Sequence, residues 1–134
     1  MIAKSKRSIQ WIKRLRRNRS VEYIGTHFVA DFWNARMIED EKELQNLLVE
    51  AVKAAKGTPL KSAIHKFSPQ GITGVIVLSE SHLSIHTWPE KNYIAVDVFT
   101  CGNTADPEKA IEYLKEKLSP EKVKMRKIKR GKIS

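Results

Sequence analysis

The chain has 134 residues, 41% of them hydrophobic, a single cysteine and a formal net charge of +10. That is enough for one domain with a real core and too little for a second full domain or a repeat array. One cysteine excludes an internal disulfide framework and a paired-cysteine zinc site. No run of about 18 apolar residues is present to cross a membrane, and the start lacks the apolar segment of a secretory signal. The expected setting is soluble, reducing and cytoplasmic, with no membrane partner.

Charge divides the chain in three. Residues 1–20 carry eight Lys or Arg and no acid, and residues 122–134 carry seven and no acid. The stretch between them is mildly acidic, with ten basic and fifteen acidic residues. Such basic tails either solubilise the body or attract nucleic acid or anionic membrane.

In chain order, residues 1–20 read as a basic N-terminal extension and 21–134 as the folded domain. Ile9, Ile12 and Leu15 keep helical spacing, but so short a helix is marginal unless it docks. Tyr23 to Trp33, rich in aromatic and β-branched residues, predicts a first strand. Residues 39–56 predict a helix, because Leu44, Leu47, Leu48, Ala51, Val52 and Ala55 form one apolar stripe. Acidic residues crowd its start, and Gly57 and Pro59 supply its stop. Leu60 to Phe67 reads as a strand, and Ser68-Pro69-Gln70-Gly71 as a turn. Val75 to Leu78, Leu83 to Trp88 and Ile94 to Thr100 read as further strands. Asp106 is placed to cap a second helix with Pro107 at its first position and a stripe of Ala110, Ile111, Leu114 and Leu118. Val123, Met125 and Ile128 are candidates for a last strand. The blocks predict an α+β fold, a two-layer sandwich with two main helices on one face of a mostly antiparallel sheet. The other face is left for a partner.

The densest polar cluster is Ser79 to Glu90, with three serines, two histidines and two glutamates in twelve residues. A hairpin serving structure alone needs few ionisable groups there. His82 and His86 are four apart, which suits a metal site on a helix and not on a strand, so no metal site is expected. The lone Cys101 reads either as a small buried apolar residue or as an exposed reactive thiol at a strand end. Strict alternation from Ser81 puts Ser81, Leu83, Ile85 and Thr87 on one face, and His82, Ser84 and His86 on the other. Ser81 and His86 therefore cannot meet on one regular strand. Either Ser81 lies in a turn before pairing begins, or His86 acts from a bend.

The run Glu80-Ser81-His82-Leu83-Ser84-Ile85-His86-Thr87-Trp88-Pro89-Glu90 closely resembles the prokaryotic S-adenosylmethionine decarboxylase proenzymes. Asp97-Val98-Phe99-Thr100-Cys101-Gly102 and Asp106-Pro107-Glu108-Lys109-Ala110 belong to the same resemblance. So do Gly25-Thr26-His27-Phe28-Val29-Ala30-Asp31-Phe32 and His65-Lys66-Phe67, in matching order and spacing. The similarity extends from Tyr23 to Leu118.

The resemblance implies an enzyme that makes its own cofactor, a pyruvoyl group, from Ser81. The Ser81 hydroxyl attacks the Glu80 carbonyl to give an ester, and β-elimination releases a β chain, residues 1–80. The serine remnant loses ammonia and begins the α chain, residues 81–134. The pyruvoyl ketone then takes the substrate amine as a Schiff base and accepts the electrons left by carbon dioxide. By the same resemblance, His86 moves a proton in processing and Cys101 returns one to the product. Phe67 stacks on adenine, and Glu90 accepts hydrogen bonds from the ribose. Thr73 stands where relatives carry a serine that aids processing; it keeps the hydroxyl but adds a methyl and stiffens χ1. Read without the family, Phe67 is a core residue and Glu90 a turn residue. The implied product is decarboxylated S-adenosylmethionine for spermidine synthesis. The implied assembly is a homodimer of αβ units, with active sites near the subunit interface.

Two other readings remain at this level. A pyruvoyl-dependent arginine decarboxylase of the same family shares Ser81, His86 and Cys101, although Phe67 and Glu90 favour the nucleoside. A small nucleic-acid-binding module fits the basic tails. It lacks a pattern of exposed sheet aromatics for base stacking, and it leaves Ser81, His86 and Cys101 unexplained.

Overall fold

The computed structural model describes residues 22–133. The reading of residues 1–20, including the helical spacing of Ile9, Ile12 and Leu15, lies outside them. Six strands form one sheet: β1 (Tyr23–Trp33), β2 (Pro59–Lys66), β3 (Ile72–Leu78), β4 (Ser81–Trp88), β5 (Tyr93–Cys101) and β6 (Lys122–Lys132). Their spatial order is β2-β3-β4-β5-β1-β6, with every pairing antiparallel. Helices α1 (Glu41–Ala54) and α2 (Pro107–Leu118) cover one face. This is the α+β two-layer arrangement that the sequence pattern anticipates.

The core lies between helices and sheet and follows from periodicity. Leu44, Leu48, Ala51 and Val52 of α1 are buried, as are Ala110, Ile111, Leu114 and Leu118 of α2. Across from them, alternate strand residues such as Phe32, Ile76, Leu83, Ile85, Ile94 and Val96 complete the core. Each fully buried side chain of this size contributes about 1.5–3 kcal/mol of transfer free energy. Gly74 brings α1 close to β3: a Cβ there would stand 2.8 Å from Leu48 Cδ1, closer than packed carbons tolerate.

Several local expectations need correction. The left-handed residue that ends α1 is Lys56, with φ 59°, not Gly57. Asp40 caps α1 by accepting from Glu43 N at 2.8 Å, but Asp106 makes no side-chain capping bond to α2. There, Pro107 alone marks the start, because its ring presets the helical φ. The basic stretch after Lys122 is not a free tail. It forms an eleven-residue edge strand whose backbone pairs along β1 from Trp33 to Tyr23. The pattern missed its length because an exposed edge strand needs no apolar face. No described helix is long and apolar enough to cross a membrane.

Candidate active site

The sheet face away from the helices carries the polar residues. Leu83, Ile85 and Thr87 of β4 point into the core, while His82, Ser84 and His86 line the open face with Asp97 and Phe99 of β5 and His27 of β1. The alternation predicted for β4 holds from His82 onward. It fails at Ser81, whose φ of 148° lies in a region that side-chain-bearing residues rarely enter. Neither alternative raised for Ser81 and His86 occurs. Ser81 pairs with Leu78 and Thr100 as the first strand residue, and His86 sits within the regular ladder opposite Thr73 and Ala95.

Ser81 and its neighbours form one end of the site. The Glu80 carbonyl oxygen accepts from Cys101 N at 2.9 Å. The Glu80 carboxylate accepts from Thr58 N at 2.9 and 3.3 Å, so the residue before Ser81 is held at both its main chain and its side chain. The Ser81 hydroxyl reaches His82 Nδ1 at 3.3 Å. Cys101 is an exposed free thiol, which decides between its two sequence readings in favour of the accessible one.

Behind Ser81 lies a network that sequence reasoning did not assign. His27 Nε2 and His82 Nε2 contact the same Asp97 oxygen, Oδ2, at 2.7 and 2.9 Å, and Ser84 Oγ donates to Oδ1. Burial alone pushes the Asp97 carboxyl up. The hydrogen bonds from Ser84, His27 and His82, with the charge of His82, outweigh it and hold the group below the usual carboxylate range. The trio has the side-chain types of a metal site, its ligand atoms lying within 4.8 Å of one another. Both Asp97 oxygens are already engaged by hydrogen bonds from His27, His82 and Ser84. The available signal was His27 and Asp97, polar residues at alternating positions in otherwise apolar strands, but their partnership spans 70 residues.

The other end of β4 gathers the remaining candidates. Thr73 Oγ1 lies 3.0 Å from His86 Nδ1, across the β3–β4 ladder. Glu90, on the 3-10 turn Pro89–Lys91, accepts from Gln70 Nε2 at 3.0 Å. Phe67, just past β2, is 48% exposed and packs edge-on against His65, so it is not a core residue. Trp33, Tyr93 and Trp88 form an aromatic row across the sheet at this end, with Trp33 and Trp88 exposed. The sequence pattern predicts no such row, because its members lie on three strands that only the fold brings together. The Tyr93 hydroxyl donates to Asp31 Oδ1. Burial first, then that hydrogen bond and the Asp31 charge, pushes its pKa up to about 12.

The two ends do not meet within one chain. Ser81 and His86 are five positions apart on one strand, about 16 Å at the usual rise per residue. Glu80, Ser81 and Cys101 are together at one end; Thr73, His86, Phe67 and Glu90 are at the other.

The profile of the S-adenosylmethionine decarboxylase family matches residues 26–131. The chain is 47% identical to an S-adenosylmethionine decarboxylase proenzyme of Methanococcus maripaludis, over 83% of this chain and 93% of that protein. It is 42% identical to the proenzyme of the same name from Thermococcus onnurineus, over 83% of this chain and 80% of that one. The crystal structure of the adenosylmethionine decarboxylase from Aquifex aeolicus superposes with a TM-score of 0.79 at 35% identity, covering 85% of this chain and 96% of that chain. With a profile match over most of its length and relatives at this identity, the chain belongs to the S-adenosylmethionine decarboxylase family.

Proposed function

We propose that this S-adenosylmethionine decarboxylase is a proenzyme that cuts itself between Glu80 and Ser81. The products are a β chain of residues 1–80, including the basic extension 1–20, and an α chain of residues 81–134 that starts with a pyruvoyl group. The observation that carries the reading is the junction itself. A peptide carbonyl is a poor electrophile, and here its oxygen already faces the Cys101 N–H at 2.9 Å. The backbone at Ser81 is strained, with φ 148°, so rupture of the Glu80–Ser81 peptide bond releases strain. The junction thus fits the group. Once made, the pyruvoyl ketone supplies an electrophile for the substrate amine and an electron sink for decarboxylation.

The chain's own residues do the rest. The accessible Cys101 Sγ returns a proton to the substrate carbon, Phe67 offers a ring to the adenine, and Glu90 accepts from the ribose hydroxyls. His86, held on Thr73, moves a proton during processing. His86 stands about 16 Å along the strand from Ser81, and Phe67 and Glu90 lie at that same far end, so the working unit is a homodimer of αβ units. In a two-fold dimer each contact occurs twice. Two open faces laid together with strands reversed put Ser81 and Cys101 of one subunit beside the partner's His86, the partner's Phe67 and the partner's Glu90. The exposed Trp33, Val77 and Trp88 on that face support its being covered. The expected role is the supply of decarboxylated S-adenosylmethionine for spermidine synthesis in the cytoplasm.

A denaturing intact-mass spectrum tests the reading. Two pieces divided at Glu80–Ser81, the C-terminal one an ammonia lighter than a serine-ended peptide, are expected. A single chain that stays uncut through long incubation overturns it. Carbon dioxide release from S-adenosylmethionine and not from arginine is the matching substrate result.

A further inference from the structure

We propose that His82 is the general base for cleavage of the Glu80–Ser81 bond, with Asp97 as its positioning residue, so that the chain carries a serine–histidine–aspartate relay at its own junction. The proposal rests on the reading of that bond as the cleavage site and names the group that starts the reaction.

The hydrogen bonding fixes the roles. Asp97 is an acceptor, so the proton of each neutral ring that faces it sits on Nε2. In His82 this leaves Nδ1 as an acceptor, and the group in front of it is the Ser81 hydroxyl at 3.3 Å. In His27 the same reasoning leaves Nδ1 facing Arg130 Nη1 at 3.4 Å, a cationic donor. His27 Nδ1 is therefore already engaged by a donor, and His82 is the ring whose second nitrogen faces the serine hydroxyl. The groups around His82 are Asp97 from β5, His27 from β1 and, beyond His27, Arg130 from β6. From β3 its register partner is the uncharged Val77. A proton gained by His82 is stabilised by the Asp97 carboxylate 2.9 Å away.

The strained backbone gives the same answer. Adjacent side chains in a regular strand point to opposite faces, so residues 81 and 82 should not touch. The positive φ of Ser81 is what brings its hydroxyl to the neighbouring ring. A distance of 3.3 Å is long for a proton transfer, and such bonds shorten as charge develops.

The Ser81 Oγ–H bond breaks and its proton passes to His82 Nδ1. Oγ bonds to the Glu80 carbonyl carbon, and the oxyanion formed faces the Cys101 N–H. Collapse breaks the carbon–nitrogen bond, and His82 returns the proton to the Ser81 nitrogen. The result is an ester with a free amine and no net gain or loss of protons. His86 belongs to the later elimination and not to this step.

Processing of freshly refolded chains, followed by intact mass with and without hydroxylamine, separates the steps, because hydroxylamine splits an ester at residue 80. H86A is expected to accumulate hydroxylamine-sensitive ester. H82Q is expected to form it at least about 100-fold more slowly than wild type forms its ester, the usual range for a lost general base. S81C in the H82Q background is expected to restore hydroxylamine cleavage, because a thiol ionises near pH 8.5 without help. D97N is expected to move the acid limb of the processing rate to lower pH, since loss of the carboxylate makes His82 harder to protonate; a purely structural change lowers the rate without moving the limb. Wild type that cuts while H82Q forms ester at the same rate, or D97N with an unmoved limb, overturns the relay. A wild-type chain that never cuts at residue 80 removes the cleavage reading, and the relay falls with it.

Discussion

The two ends of β4 differ in what they hold. At the Ser81 end are the bond proposed to break, a main-chain donor on its carbonyl oxygen and a strained φ. At the His86 end are a histidine in an unstrained ladder, a hydroxyl partner and exposed aromatic surface. On the proposed reading, one end holds the reactive junction. On the same reading, the other end holds the groups proposed to recognise substrate. In the proposed reading, reactivity depends on backbone geometry local to one chain, whereas recognition uses side chains that a second copy would supply. The sheet separates the two, and the proposed dimer would join them.

This contrast ranks the substitutions. S81A removes the electrophile's precursor, so neither cut chain nor carbon dioxide release is expected, by intact mass and by a decarboxylation assay. C101A separates main chain from side chain. Its N–H still faces the Glu80 carbonyl, so the chain still cuts, while kcat falls about 100- to 10,000-fold for want of a proton donor. If C101A fails to cut as well, the side chain and not the backbone serves the junction. T73A strips the hydroxyl partner from His86, and a slowing of processing of about tenfold is expected, in line with a single hydrogen bond to a neighbouring group. T73S should process at least as fast as wild type, because the methyl contributes nothing to the contact. F67A and E90Q should leave cutting unchanged and raise KM by about tenfold each, as expected of contacts that bind without reacting.

The smallest effect is on stability. The Asp97 carboxyl is held below its ordinary range in the folded chain, so it favours folding above the unfolded value. That contribution is lost as pH falls through the ordinary carboxylate range to the folded value. A urea titration series across that window should show wild type losing stability on acidification and D97N losing less of it.

Much of the fold could be read from the sequence because the signals were local. The stripe of Leu44, Leu48, Ala51 and Val52 and the alternation of Ile94, Val96 and Val98 both report burial on one face. The run from Glu80 to Glu90 pointed to the site by its chemistry. What escaped was non-local or conformational. His27 and Asp97 become partners only when β1 pairs with β5. The positive φ of Ser81 is imposed by the chain on both sides and leaves no trace in residue type. The length of β6 escaped because its stability comes from backbone pairing with β1 and not from an apolar face.

Mixed subunits test the division of the site most directly. S81A chains lack the bond's nucleophile and keep His86; H86A chains lack His86 and keep Ser81. Co-expressed with distinguishable masses, they pair into heterodimers in which the H86A chain's Ser81 meets the partner's His86. The account predicts that H86A chains, uncut alone, are cut in the mixture, with about half converted under random pairing. H86A chains that stay uncut in a mixture shown to contain heterodimers would place Ser81 and His86 in the same subunit's site and contradict the account.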